Sequence, residues 1–189
     1  MMKTLFVFFF LFFNFGYLQE PLNDITLPTN DNGELNWTEA VEVNNVTKAD
    51  LLTRAKAYMK TEKKYSNHFF SEESATGEGF DDFFLWGDNT SKFKCSYVVK
   101  IELKDNKYKY TISGLTYEQY PKPAKPTPLP FSGNDLYKEY RELIKSKKNS
   151  SKKAKNAYSI FRSTKTLMEE LAVQIKTKMK EESTGSGDW

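Results

Sequence analysis

The chain has 189 residues, of which 39% are hydrophobic and 28% charged, with a net charge of +3. This length suits one domain with a real core rather than two, and the balance excludes an intrinsically disordered chain. Aromatic residues reach 15%, so few positions can supply a large buried area. The single cysteine excludes an internal disulfide.

In chain order, Lys3 precedes an unbroken apolar run from Leu5 to Phe13, which Asn14 ends. The run is about half of the roughly 20 residues that span a bilayer. A short positive start, a short apolar middle and then polar sequence describe a secretory signal peptide. Residues 1–18 are read so, with Gly16 as the small residue near cleavage and an uncleaved membrane anchor as the alternative. No cysteine follows the run to carry a lipid. The expectation is export, to the periplasm, the outer envelope or the medium.

Residues 19–33 are rich in Pro, Asn and Asp without periodicity and predict an irregular arm. Trp37, Glu39, Val41 and Val43 then alternate with Thr38, Ala40 and Glu42, as in a half-buried strand. Thr47 with Asp50 three positions on makes a capping-box start. Leu51, Leu52, Ala55, Tyr58 and Met59 follow at helical spacing, predicting a helix to about Lys64. Between Tyr65 and Trp86 the expectation is two short strands joined near the Gly77-Glu78-Gly79 break.

The next segment is the least ambiguous. Phe93, Cys95, Tyr97, Val99, Ile101 and Leu103 fall on one strand face, and Lys94, Ser96, Lys100, Glu102 and Lys104 on the other, with Val98 the apolar exception. Asp105-Asn106 makes a turn, and Tyr108, Tyr110 and Ile112 continue the alternation. This is a β-hairpin with one wet face, hence an antiparallel sheet. Residues 121–133, with Pro121, Pro123, Pro126, Pro128 and Pro130, read as a stiff linker. Residues 134–182 then read as amphipathic helices. Asn134 or Asp135 caps a segment with Leu136, Tyr137, Tyr140, Leu143 and Ile144. After a Lys/Ser break, Ala154, Ala157, Ile160, Phe161, Thr164, Leu167, Met168, Leu171, Ile175 and Met179 keep steps of three and four. That stripe must face something, most simply the preceding helix and one surface of the sheet. Residues 183–189 read as a frayed tail.

Charge is unevenly shared. Gln19–Tyr120 carries 12 basic and 17 acidic residues, whereas Pro121–Trp189 carries 15 basic and 8 acidic. An acidic sheet domain is thus joined to a basic helical extension.

Candidate chemistry is sparse. The one histidine, His68, beside Phe69 and Phe70, reads as a partly buried structural residue rather than a base. No His/Cys/Asp/Glu set stands at metal-ligand spacing, and no cofactor motif is present. Asp81 and Asp82 are adjacent, so on a strand they point to opposite faces and cannot pair. Cys95 lies on the apolar strand face, where it acts as a small hydrophobe. The Gly77-Glu78-Gly79 fragment lacks the remainder of a phosphate-binding loop. Catalytic, cofactor and metal residues are therefore none, and an enzyme built from dispersed carboxylates is the least favoured reading. The candidate contact residues are Lys145, Lys147, Lys148, Lys152, Lys153 and Lys155, within eleven positions, which could meet an anionic surface. The alternative is a solvated helix connection. Asn36, Asn45, Asn89 and Asn149 each begin an N-x-Ser/Thr sequon, a pattern that chance supplies in an Asn-rich chain.

One resemblance adds to these readings. It rests on Val41-Glu42-Val43, then Thr47-Lys48-Ala49-Asp50-Leu51-Leu52 with Arg54-Ala55, the Gly77-Glu78-Gly79 break and Tyr97-Val98-Val99-Lys100-Ile101. Its most specific block is Lys104-Asp105-Asn106-Lys107-Tyr108-Lys109-Tyr110-Thr111. From Glu34 to Tyr120 the chain resembles a family of exported Bacteroidetes domains of unknown function with a fold like the TATA-binding protein. Tyr58 stands where that family often has Trp, and Lys109 where Arg is frequent. The resemblance implies an α+β fold, a curved antiparallel sheet with helices packed on one face, and here a C-terminal helical extension. It implies no site residues, because fold does not carry function. Export and the acidic sheet domain both speak against nucleic acid. The functional expectation is an exported, non-enzymatic interaction module binding a protein or envelope component. The alternative is a structural or accessory envelope protein touching anionic surfaces through its basic helices.

Overall fold

The structure is a computed structural model that describes residues 24–62, 64–85, 87–121 and 128–181. The expected signal peptide, residues 122–127 of the Pro-rich linker and the 183–189 tail lie outside these residues; of the linker's described residues, Phe131–Ser132 form a short strand and Gly133 begins a helix. The elements run β1 (Trp37–Glu42), α1 (Lys48–Thr61), β2 (Tyr65–Phe70), β3 (Ser74–Leu85), β4 (Asp88–Lys104), β5 (Lys107–Gln119), β6 (Phe131–Ser132), α2 (Gly133–Lys145) and α3 (Lys152–Lys180). The strands form one antiparallel sheet in the order β1-β5-β4-β3-β2, with β6 added beside β5. All three helices pack on one face, giving the expected α+β architecture.

The alternation read along β4 sets this arrangement. Phe93, Cys95, Tyr97, Val99, Ile101 and Leu103 are all buried, as are Tyr108, Tyr110 and Ile112 opposite them on β5. The two strands slip register between Ser96 and Val98, where Gly114 adopts φ +65°. The extra residue of this bulge keeps both Ile112 and Leu115 on the dry face, and such bulges sharpen a sheet's curvature. The α3 stripe covers that face: Ala157, Ile160, Phe161, Met168, Leu171, Ile175 and Met179 join a single core with the sheet and α1. Where the stripe carries a hydroxyl, Thr164 donates to the Ile160 carbonyl at 2.9 Å and meets Tyr117 Oη at 2.9 Å.

The tip of the β4–β5 hairpin also holds the start of α1. Asn106 takes φ +61°, a conformation Asn tolerates better than most residues. Its backbone N–H donates to the Val46 carbonyl at 2.9 Å, its Oδ1 accepts from Val46 N at 3.1 Å, and its carbonyl accepts from Val43 N at 2.8 Å. Asp105 Oδ1 accepts from Lys48 N at 2.7 Å, which satisfies one of the orphan donors at the helix start. Thr47 caps the same end, accepting from Asp50 N at 3.2 Å. In the second turn of α1, Arg54 Nη1 donates to the Met179 carbonyl at 3.0 Å, tying α1 to the last turn of α3.

Three local expectations are corrected. Gly77 and Gly79 do not join two strands; they lie inside β3, and the β2–β3 turn falls at Ser71–Glu73. There Ser71 Oγ accepts from Ser74 N at 3.0 Å and from Glu73 N at 3.3 Å. The glycines answer packing rather than turn geometry, because neither has positive φ. A Cβ on Gly79 would lie 2.6 Å from the Tyr97 ring and 2.8 Å from the Tyr65 ring, whereas one on Gly77 would meet the flexible Met59 Sδ at 3.3 Å. Helix α1 ends at Thr61 rather than Lys64, since the chain must turn to place Tyr65 under Gly79. The cap of α2 is Ser132, whose Oγ accepts from Asp135 N at 3.3 Å. Asn134 instead accepts from Leu35 N at 2.8 Å, and Tyr137 Oη accepts from Leu27 N at 2.9 Å. The described part of the arm is thus docked on α2, with Leu27 and Leu35 buried.

Overpacking a closed aromatic contact costs about 1–3 kcal/mol. Gly79→Ala is therefore expected to lower stability by about that amount in urea unfolding, and Gly77→Ala by clearly less. Equal costs at the two positions would refute this account of the glycines.

Candidate functional site

The face of the sheet opposite the helices is uncovered. On β3 it presents Thr76, Glu78, Phe80, Asp82 and Phe84; on β4, Lys92, Lys94, Ser96, Val98, Lys100 and Glu102. Phe69 joins it from β2 opposite Thr76, and Tyr120 follows β5 beside Lys92, donating its N–H to the Lys92 carbonyl at 3.0 Å. Four of the most exposed large hydrophobic side chains among the described residues share this one face: Phe69 at 66%, Phe84 at 53%, Phe80 at 42% and Tyr120 at 40%. At about 3.3 Å per strand residue, Phe80 and Phe84 stand roughly 13 Å apart.

Charged groups hold two of these rings, Phe80 and Tyr120. Lys94 Nζ lies 4.6 Å from the Phe80 ring centroid, and Lys92 Nζ lies 4.7 Å from that of Tyr120. Asp82 closes the second pair, accepting from Tyr120 Oη at 2.8 Å and meeting Lys92 Nζ at 2.7 Å. That contact raises the Lys92 pKa, and the hydrogen bond to Asp82 raises that of Tyr120. Farther along, Glu102 bridges Lys109 at 2.9 Å and Lys100 at 3.1 Å. Hydrogen bonds from Lys109 first, then Lys100, lower its pKa. The centre of the face holds a shallow depression of about 360 Å³, lined among others by Ser66, Phe80, Lys94, Ser96, Gly114 and Thr116. Its small side chains leave backbone near the surface.

Asp81 and Asp82 face opposite ways, as adjacent strand residues must. Asp81 points under the helices, accepting from Tyr97 Oη at 2.5 Å and from Lys64 Nζ at 3.2 Å. Beside it Tyr58 and Tyr65 share a 2.8 Å hydrogen bond. Burial raises the phenols of Tyr65 and Tyr97, and carries that of Tyr58 up to about 12. Burial likewise pushes the Cys95 thiol up to about 12. These groups stay protonated at neutral pH and are closed off from solvent, so their arrangement supports packing rather than proton transfer.

His68 is exposed rather than partly buried, a correction to the sequence reading. The chain bulges at Asn67, which has φ +49°, and sets the imidazole against Phe70 at 6.0 Å between centroids. The six lysines of the candidate contact lie together at the α2–α3 junction, away from the aromatic face. Five are exposed and Lys155 is half-buried. Sequence reading missed the row formed by Phe69, Phe80, Phe84 and Tyr120. Counting parity along β3 would have found it, but only once the glycines were placed inside that strand. Among the described residues, no group of three or more His, Cys, Asp or Glu could hold a metal ion. Among the same residues, no helix is long and apolar enough to cross a membrane.

The architecture is that of a TBP-like protein. A solved structure of a TBP-like protein from Parabacteroides distasonis matches with a TM-score of 0.65 at 17% identity, covering 82% of this chain and 98% of that one. A DUF4468 family protein from Bacteroides ovatus matches with a TM-score of 0.57 at 12% identity, covering 84% and 92%. This chain therefore shares its fold with these Bacteroidetes proteins. The likeness extends beyond Glu34–Tyr120, which makes up under half of the chain. No family model matches the sequence, and no curated protein matches it.

If the open face is free of structural duty, Phe84→Ser should leave stability within about 0.5 kcal/mol of the parent. Phe93→Ala, on the buried face of the neighbouring strand, should cost about 3–5 kcal/mol. Chemical denaturation of the two variants checks both, and a large loss with Phe84→Ser would make that ring part of the core.

Proposed function

We propose that this chain is an exported, non-catalytic interaction module that binds a protein partner of the cell envelope through the uncovered face of its sheet. The observation that carries this reading is the gathering of Phe69, Phe80, Phe84 and Tyr120 on that face. A sheet can turn one side to water without exposing aromatic rings, and lone surface hydrophobes scatter. Here four share one face, spaced along it among Lys92–Asp82 and the Lys100–Glu102–Lys109 bridge. Aromatic rings within a polar, charge-balanced surround match the anatomy of a protein interface. Paired charges weaken any pull on a polyanion, which argues against nucleic acid on this face despite the name of the fold. Against catalysis, Tyr58, Tyr97 and Cys95 are buried and protonated, so none of them offers an activated nucleophile or base at the surface. Export rests on the apolar run at residues 5–13.

The test is capture from an envelope extract, comparing the parent with a Phe80→Ser/Phe84→Ser variant. Central aromatic contacts are worth about 2 kcal/mol or more each. A specific partner should therefore be retained by the parent and reduced at least tenfold by the variant, with the circular dichroism melt unchanged. Equal capture by both proteins would exclude this face. Light scattering of the purified chain separates a heterologous partner from a second copy.

A further inference from the structure

We propose that the α2–α3 elbow is a docking surface for an anionic phospholipid bilayer, independent of the aromatic sheet face. From Lys145 to Lys155 the chain has six lysines, no acidic residue, no arginine and no aromatic residue. The structure brings these lysines to one end of the helical layer, where Lys145, Lys147, Lys148, Lys152 and Lys153 are exposed. Among the described residues only Lys153 has an ion-pair partner, Glu139 on α2. The other five leave a concentrated positive charge unanswered by the protein.

Two local choices sharpen that charge. Helix α2 ends in a Schellman turn, with Lys148 N donating to the Leu143 carbonyl at 2.9 Å and Lys147 N to that of Ile144 at 3.0 Å. Lys147 itself takes φ +56°, where Gly or Asn is cheaper. Helix α3 begins three residues after Lys148 at its Ser151 cap, and its first turn carries Lys152, Lys153 and Lys155 with no acidic residue. Cations are disfavoured there by the positive end of the helix dipole. At α3 the positive charge works against the helix dipole, and at the end of α2 Lys147 takes a backbone conformation that Gly would adopt more cheaply.

The chemistry of the patch selects the partner. Lysine is a compact, hydrated point charge, whereas arginine provides the planar fork that reads individual phosphates or carboxylates. An all-lysine elbow therefore suits a laterally extended sheet of charge. A tight turn between two helices is convex, so it can touch a plane. Single-stranded nucleic acid is held by rings on which bases stack, and the elbow has none.

The test uses residues 19–189, which retain every contact described above, in co-flotation with vesicles of phosphatidylcholine alone or with about 40% phosphatidylglycerol. Each lysine at a charged bilayer strengthens partitioning by about fivefold. Binding is expected on the anionic vesicles only, with loss in about 0.5 M salt, where screening lengths fall to a few ångströms. Lys147→Asn/Lys148→Gln/Lys152→Gln should weaken it by roughly a hundredfold. Lys104→Gln/Lys107→Gln, at the hairpin tip, should leave it nearly unchanged. Binding that survives in the elbow variant would overturn the proposal, as would equal loss in both variants or equal binding to neutral vesicles. Preferential capture by a sulphated polysaccharide or a single-stranded oligonucleotide in competition would replace the bilayer with that polyanion.

Discussion

Strand β4 buries six side chains in strict alternation from Phe93 to Leu103, and the rest of the molecule is arranged around the dry surface they create with β5. Burying a Val, Leu, Ile or Phe contributes about 1.5–3 kcal/mol. A slip of one residue would send those six to water and turn Lys94, Lys100, Glu102 and Lys104 into the core. Register is therefore fixed wherever the helices cover the sheet. The bulge at Gly114 is compatible with this constraint because its extra residue restores the alternation, so that Leu115 and Tyr117 stay inside.

Sheet and helices meet across a layer of tyrosines. Tyr58, Tyr65, Tyr97 and Tyr117 supply ring area to the core, and each hydroxyl finds a partner in a second tyrosine, Asp81 or Thr164. A buried phenol without such a partner would forfeit much of what its ring contributes. Gly79 belongs to the same layer, since only a missing side chain lets Tyr65 and Tyr97 close over β3. The hairpin tip shows the economy of a short motif. Asp105 and Asn106 make the turn, bind the β1–α1 corner and satisfy the start of α1 with two adjacent side chains.

Covering one face of a sheet leaves the other to water, and that division separates two surfaces of different chemistry. The uncovered face carries rings set among paired charges, suited to contact at short range. The elbow carries unpaired lysines, whose field extends about a screening length into solvent. The acidic sheet domain and basic helical extension read from the sequence thus belong to one folded unit with a shared core.

Much of this fold was legible in residue order, because the information was periodic. Alternation over Phe93–Leu103, the Asp105-Asn106 turn, the Thr47 cap and the long α3 stripe each state a local geometry that short-range sterics enforce. The family resemblance on those residues pointed to the same TBP-like architecture that the solved neighbours have. The six lysines were visible as a run, but the exposure of five of them at one elbow was not. Other features depended on contacts across the chain. Gly77 and Gly79 look like a break to any local rule, and only the rings of Tyr65 and Tyr97, brought in by neighbouring strands, reveal them as strand residues. With the glycines misplaced, the parity of Phe80 and Phe84 could not be counted, so the aromatic face stayed hidden. Asn134 resembled a helix cap until Leu35, 99 positions away, supplied its partner. Sequence by itself determined the β4–β5 hairpin, the cores of the three helices and which β4 side chains are buried, because those follow from spacing. Tertiary structure alone decided which face stays open and what gathers on it, because that depends on where distant segments come to rest.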